Sequence, residues 1–424
     1  MRLGKVLVAS ALAAFIGAPA LRAQDGKSWP MYRGAGGDGI SQESGWSVTW
    51  PASGPRILWK ANVGEGYSSV AIANGRLYTM GSRANKDVVS CRDAADGREI
   101  WSFSYDCRNE GYPGPRATPT LDLSDPDGAS GSRRGGDRVY TVSRRGQLHC
   151  LDAGSGKRLW SQDLPRTVGA KIPLFGYSCS PVIFENLLIL PVGADDGAVV
   201  ALDKNDGKLV WKSGEGQAGY STPVLYEKAG PDKSACVAVF AGDALLALDA
   251  KTGTPLWRLP YPVKLQQAIA SPIVSGDRIF ISAAYRSGGA LVDVSGVEPR
   301  IVWRNVEFSN QLATSVLWKG CLYGMDGDHE RPHVLKCVDF ATGAVKWTAQ
   351  GFGKGSLMLA DGKLIITSDN GALVIAEATP RGYRELARAS AVFGVCWTMP
   401  VLCGGRIYVR NHAGDFVCLD VSGK

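Results

Sequence analysis

Cys91-Arg92-Asp93-Ala94-Ala95-Asp96-Gly97-Arg98-Glu99-Ile100-Trp101 decides the fold, because its skeleton returns along the chain. The skeleton is a small residue, then Asp two positions on, Gly four after that and Trp four after the Gly. It is repeated as Cys150, Asp152, Gly156, Trp160; as Ala201, Asp203, Gly207, Trp211; as Ala247, Asp249, Gly253, Trp257; and as Cys337, Asp339, Gly343, Trp347. A worn copy runs from Ala376 through Gly382 to Leu386, and another ends at Trp303. A second pattern precedes each copy: Ser or Thr, then Pro or an aliphatic residue, then a turn and an alternating strand. Thr118-Pro119, Ser180-Pro181, Thr222-Pro223 and Ser271-Pro272 are its clearest forms, and looser ones bring the count to eight.

Each unit reads as four short strands joined by tight turns, such as Asn74-Gly75 and Gly276-Asp277. A four-stranded meander cannot bury both of its faces alone. Radial stacking about a channel solves that and leaves only short edges. A period of about 45 residues, rich in Gly and β-branched residues, fits such blades and no helical solenoid. The fold expected is all-β: an eight-bladed propeller with four-stranded antiparallel blades. After Leu419-Asp420 the eighth unit still lacks its Trp strand, and Arg56-Ile57-Leu58-Trp59-Lys60 is expected to supply it. Residues 56–424 form the propeller in this reading, and 24–55 a lead segment. Each Trp should wedge between blades, burying ~200 Å² at ~25 cal/mol/Å², so Trp257→Ala should cost roughly 3–5 kcal/mol.

Residues 1–23 read as a cleaved signal peptide. Arg2 and Lys5 precede an apolar run from Val6 to Leu21 and a cleavage site at Ala23. That run is short for a bilayer span, and no cysteine precedes Cys91 to carry a lipid. A periplasmic or secreted protein is expected, monomeric and with no transmembrane span. Without Arg2, Lys5 and Arg22, 44 basic residues face 40 acidic ones, a net charge of +4 that gives no footing for nucleic acid. Of the ten cysteines, Cys91, Cys150, Cys337 and Cys418 alternate with alanine in register and so read as small, buried and free. Cys396 and Cys403, on one extended segment, stand too far apart to bridge. The state of Cys107, Cys179, Cys236 and Cys321 is open.

The Asp-x3-Gly-x3-Trp units resemble the tryptophan-docking motifs of the PQQ-like propeller superfamily, over nearly the whole mature chain. That superfamily includes quinoprotein alcohol dehydrogenases and outer-membrane assembly factors, and Trp29-Pro30-Met31-Tyr32-Arg33-Gly34 is similar to the opening of its short secreted members. The resemblance implies two possible activities: a binding module, or a dehydrogenase carrying PQQ with Ca²⁺. It also implies what a dehydrogenase would need, namely roofing loops and often a pair of adjacent cysteines. Here no two cysteines adjoin and the blades are nearly minimal. No catalytic residue and no metal ligand is assigned. The leading expectation is therefore a non-catalytic scaffold that binds a protein, peptide or glycan on one rim.

The residue three before each Pro-equivalent position should reach the channel mouth. With their neighbours these give Glu65, Tyr67, Arg116, Tyr177, Tyr220, Gln267, Lys354 and Trp397 as candidate ligand-binding residues. Arg116 and Lys354 are the anion candidates, and Glu65 is a possible partner for either. The stretch Asp326-Gly327-Asp328-His329-Glu330-Arg331-Pro332-His333 lacks protease spacing and reads as a loop between two strands of the sixth unit. Asp195-Asp196-Gly197 reads as a hairpin turn, His149 and His412 as isolated, and residues 121–137 as a low-complexity surface insertion.

Overall fold

A computed structural model describes residues 28–109, 111–123, 136–228 and 233–423. The expected signal peptide and most of the 121–137 insertion lie outside them. The described chain forms eight sheets, each built on a four-stranded antiparallel blade; one gains a fifth, parallel strand from the lead segment. The blades begin with innermost strands Ala71–Ala73, Thr120–Asp122, Val182–Phe184, Val224–Glu227, Ile273–Ser275, Val316–Trp318, Ser356–Ala360 and Val401–Leu402. We number them one to eight in that order.

Closure follows the expected route. Ile57–Asn62 pairs antiparallel with Asp415–Asp420 as the outermost strand of blade eight, with Trp59 opposite Cys418. Cys91 opposes Trp101, Cys150 opposes Trp160 and Cys337 opposes Trp347 in the same way. All ten cysteines are free and buried, including the four whose state the sequence left open.

Most seams use the repeated residues. The Trp101 indole of blade one lies on Gly156 of blade two and donates to the Ala153 carbonyl. Tyr78 Oη and Arg76 Nη1, from the second strand of blade one, donate to that same carbonyl. Blade two repeats the arrangement on blade three: Trp160, Tyr140 and Arg138 converge on Lys204 O. At the closing seam Trp59, Tyr408 and Arg406 converge on Ala94 O. The junction between the chain's two ends thus uses the same groups as an internal junction.

The worn copy in blade seven is displaced by one residue from the sequence reading. Ala387, not Leu386, stands in the tryptophan position, opposite Ile375. The four-residue shorthand slips here because no Trp anchors the register. The lead segment fills the seam instead. Trp46 is buried among residues of blades seven and eight, with the Lys363 ammonium over its ring. The Ser47 amide donates to Val421 O, the carbonyl corresponding to those that indoles engage elsewhere.

Before reaching that seam the lead segment crosses the channel. Trp29 exchanges backbone hydrogen bonds with Ile72 of blade one, and Pro30 O accepts from Leu121 of blade two. Arg33, 1% exposed, donates to Thr314 O and Ser315 O beside blade six. Ile40–Ser41 then pairs parallel with Leu359 and Ala360 of blade seven. These contacts touch blades one and two and, across the ring from them, blades six and seven. Residues 29–41 therefore form a floor across one end of the channel.

Candidate functional site: the channel mouth

Above that floor the channel holds a cavity of about 190 Å³. Six of the eight sequence candidates line it: Tyr67, Arg116, Tyr220, Gln267, Lys354 and Trp397. They share it because each precedes or begins the entry into an innermost strand, so repeat geometry aims them at one axis. Two candidates stand elsewhere. Glu65 is exposed and bridges through its backbone to Ser82. Tyr177 is 2% exposed, packs against Gly146 and donates its hydroxyl to Lys171 O. The pairing considered for Glu65 gives way to other contacts. Arg116 donates to the Gly114 and Tyr112 carbonyls, and Lys354 Nζ stands 3.3 Å from His329 Nδ1.

The wall is aromatic. Tyr67 stacks on Trp397 with ring centroids 5.6 Å apart, and on His412 at 4.6 Å. Tyr112 contacts both Trp397 and Phe175, and Phe175 contacts Tyr220. The two cations flank the stack: the Arg116 guanidinium lies 5.5 Å from the Tyr67 centroid and Lys354 Nζ 5.1 Å from that of Trp397. Such contacts hold a cation against an apolar wall. Burial lowers the Arg116 pKa to about 10, and the like charge of Arg144 adds to the effect. Burial also lowers that of Lys354, and pushes the Tyr67 phenol up to about 12. Among the described residues the lining contains no Asp or Glu.

Tyr112, Phe175, Tyr285, His329 and Tyr32 also reach the cavity, and the sequence candidates did not include them. Tyr285 and His329 sit in turns between second and third strands, which open on the same face as the connections carrying Tyr67 and Arg116. The repeat register that found the candidates, applied to that turn, would have pointed to both, and to His412. The stretch expected as a loop around His329 is instead mostly strand: Cys321–Asp328 and Arg331–Asp339 leave only His329 and Glu330 as the turn. Tyr112 and Phe175 come from connections of irregular length, and Tyr32 from the floor. Nothing periodic marks those three.

The same connections expose apolar side chains around the mouth. Leu174 is 73% exposed, Leu265 54%, Phe393 81% and Val395 43%. Leu265 and Gln266 both adopt φ +56°. Left-handed backbone in a bulky residue is strain that tends to gather at ligand contacts.

Eight four-stranded blades, stitched by indoles resting on glycines around a floored channel, define a PQQ-like β-propeller. The chain belongs to the family described as outer membrane protein assembly factor BamB, whose model matches residues 85–349 and 195–424. It is 27% identical to the outer membrane protein assembly factor BamB of Escherichia coli over 371 residues, covering 75% of this chain and 87% of that protein. It is also similar to a quinoprotein ethanol dehydrogenase of Pseudomonas aeruginosa, 30% identical over 138 residues; that match takes in 29% of this chain and 21% of the relative. The chain thus spans about a fifth of that dehydrogenase's length. In fold it resembles the quinohemoprotein alcohol dehydrogenase of Comamonas testosteroni, with a TM-score of 0.66 and 14% identity, covering 94% of this chain and 81% of that one.

Proposed function

We propose that this protein is exported after removal of residues 1–23 and works as a non-catalytic, monomeric binding module. In this reading residues 24–55 are the lead segment and 56–424 the propeller. Its ligand is a protein, peptide or glycan held at the channel mouth. One observation carries the reading: exposed apolar side chains on the connections entering blades three, five and eight flank an aromatic cavity. Apolar groups concentrated around a mouth mark a contact surface. The relatives named as outer membrane protein assembly factors support a role outside the cytoplasm and in the company of other proteins.

A PQQ-dependent dehydrogenase is the second reading, favoured by the 138-residue similarity to an ethanol dehydrogenase. The lining suits this cofactor pair only in part. Trp397, Arg116 and Lys354 suit a flat polyanion. Calcium asks for carboxylate and carbonyl oxygens, and the described lining offers no carboxylate.

Reconstitution with PQQ and Ca²⁺ separates the two. The binding module should take up no stoichiometric PQQ and oxidise no alcohol in a dye-linked assay. A thermal-shift screen of peptides and glycans should yield ligands that raise the melting point, by about 2.7 kcal/mol of stability at a hundredfold excess over Kd. Arg116→Ala and Lys354→Ala should abolish those shifts. One PQQ per chain with turnover would overturn the reading.

A further inference from the structure

The cavity has a floor, an excess of positive charge and an apolar collar, and together these restrict what enters it. Residues 29–41 cross the far end, so no polymer threads the channel; a ligand must enter end-on through the mouth. At about 190 Å³ the cavity is smaller than the ~300 Å³ at which small-molecule sites begin, so it admits an end group rather than a folded element.

Charge sets the sign of that end group. Some buried cations elsewhere in the protein meet carboxylates, Lys204 with Asp122 at 3.1 Å and Lys336 with Asp326 at 2.9 Å, while Arg33 and Arg410 are enclosed by backbone carbonyls away from any opening. Arg116 and Lys354 are matched only by carbonyls, rings and an imidazole. The nearby Asp369 accepts the backbone amide of Lys354. Cations that reach an open cavity whose described lining holds no carboxylate favour an incoming anion. The body attached to that anion must be apolar near its tip, where Trp397, Tyr67 and Phe175 form the wall. It must stay apolar further out, where Leu174, Leu265 and Phe393 face solvent.

We propose that the mouth captures the free C-terminus of a peptide with an apolar last residue: the terminal carboxylate sits between Arg116 and Lys354, and the preceding residues lie across the apolar collar. An acidic sugar end would meet the cations but would leave the exposed leucines and phenylalanine without partners, which is why a peptide is favoured. The proposal rests on the binding-module reading and deepens it.

The test uses the full mature chain and a library of random octapeptides tethered by their N-termini, each made as the free acid and as the carboxamide. Binders should come from the free-acid set and carry apolar or aromatic last residues. Amidation should weaken each by about tenfold or more, the loss expected for a charge-assisted hydrogen bond. Lys354→Gln, at a half-exposed position that leaves folding intact, should weaken them to a similar extent with an unchanged melting point; Arg116→Gln provides a second arm. Equal binding of acid and amide, abolished by Trp397→Ala, would overturn the carboxylate assignment while leaving a binding module. Binding of glycans and no peptides would do the same. One-to-one uptake of PQQ with turnover would overturn both.

Discussion

Gly156 shows how a single residue sets a seam. Its φ of +73° lies where side chains are strained, and an added Cβ would come within 2.5 Å of the Trp101 ring. Gly156→Ala should therefore cost about 2–4 kcal/mol, combining left-handed strain with overpacking, read as a lower urea midpoint at unchanged slope. Asp87 behaves differently. It is wholly buried at the seam of blades one and two, and burial raises its pKa to about 6, against the pull of Cys107, Arg144 and Arg116. A folded-state pKa above the unfolded one means that the native chain holds the proton more tightly, so this group's contribution falls as pH rises from about 4 to 6. Asp87→Asn should raise stability at pH 8, by on the order of 1–3 kcal/mol, and leave it nearly unchanged at pH 3.5. A gain of equal size at both pH values would refute the assignment. The repeats made Gly156 legible, whereas the burial of Asp87 only emerges when two blades meet; Asp243, at the same offset in blade four, is partly exposed and paired with Arg258.

At the scale of elements, most of the architecture was written in the sequence. The Asp, Gly and Trp positions marked third and fourth strands, and the Ser/Thr-Pro pairs marked the approach to the first. Tyr67, Arg116, Tyr220, Lys354 and Trp397 were found because they hold one offset in every blade. Legibility ended where the offset ended. Blade seven has no tryptophan, so the register slipped by one residue, and nothing in the pattern revealed that Trp46 would fill the vacant wedge. Trp46→Ala should destabilise the protein by about 3–5 kcal/mol, as much as losing a repeat tryptophan such as Trp257, and differential scanning calorimetry of the two variants would compare them. Deleting residues 56–63 removes the outermost strand of blade eight and the Trp59 contact to Ala94 O. That truncation should lower the melting point of the whole molecule; a parent-like melting curve would mean that the ring does not depend on this strand.

Over the whole molecule, the lead segment changes what the propeller is. Without it the fold is a ring open at both ends; with it, the ring, itself closed by Ile57–Asn62, has a floor at residues 29–41 and a substitute wedge at Trp46. Lead and ring are then one cooperative unit with a single mouth, and the functional reading depends on that unity. Native-state hydrogen exchange tests it most directly. The amides of Trp29 and Leu359, which tie the floor to blades one and seven, and those of Val63 and Asp420 at the closure, are predicted to exchange only through global unfolding, at the same free energy as the central strands of the blades. Fast exchange at these amides beneath protected blades would mean an open channel and an unsealed ring, and would contradict the account.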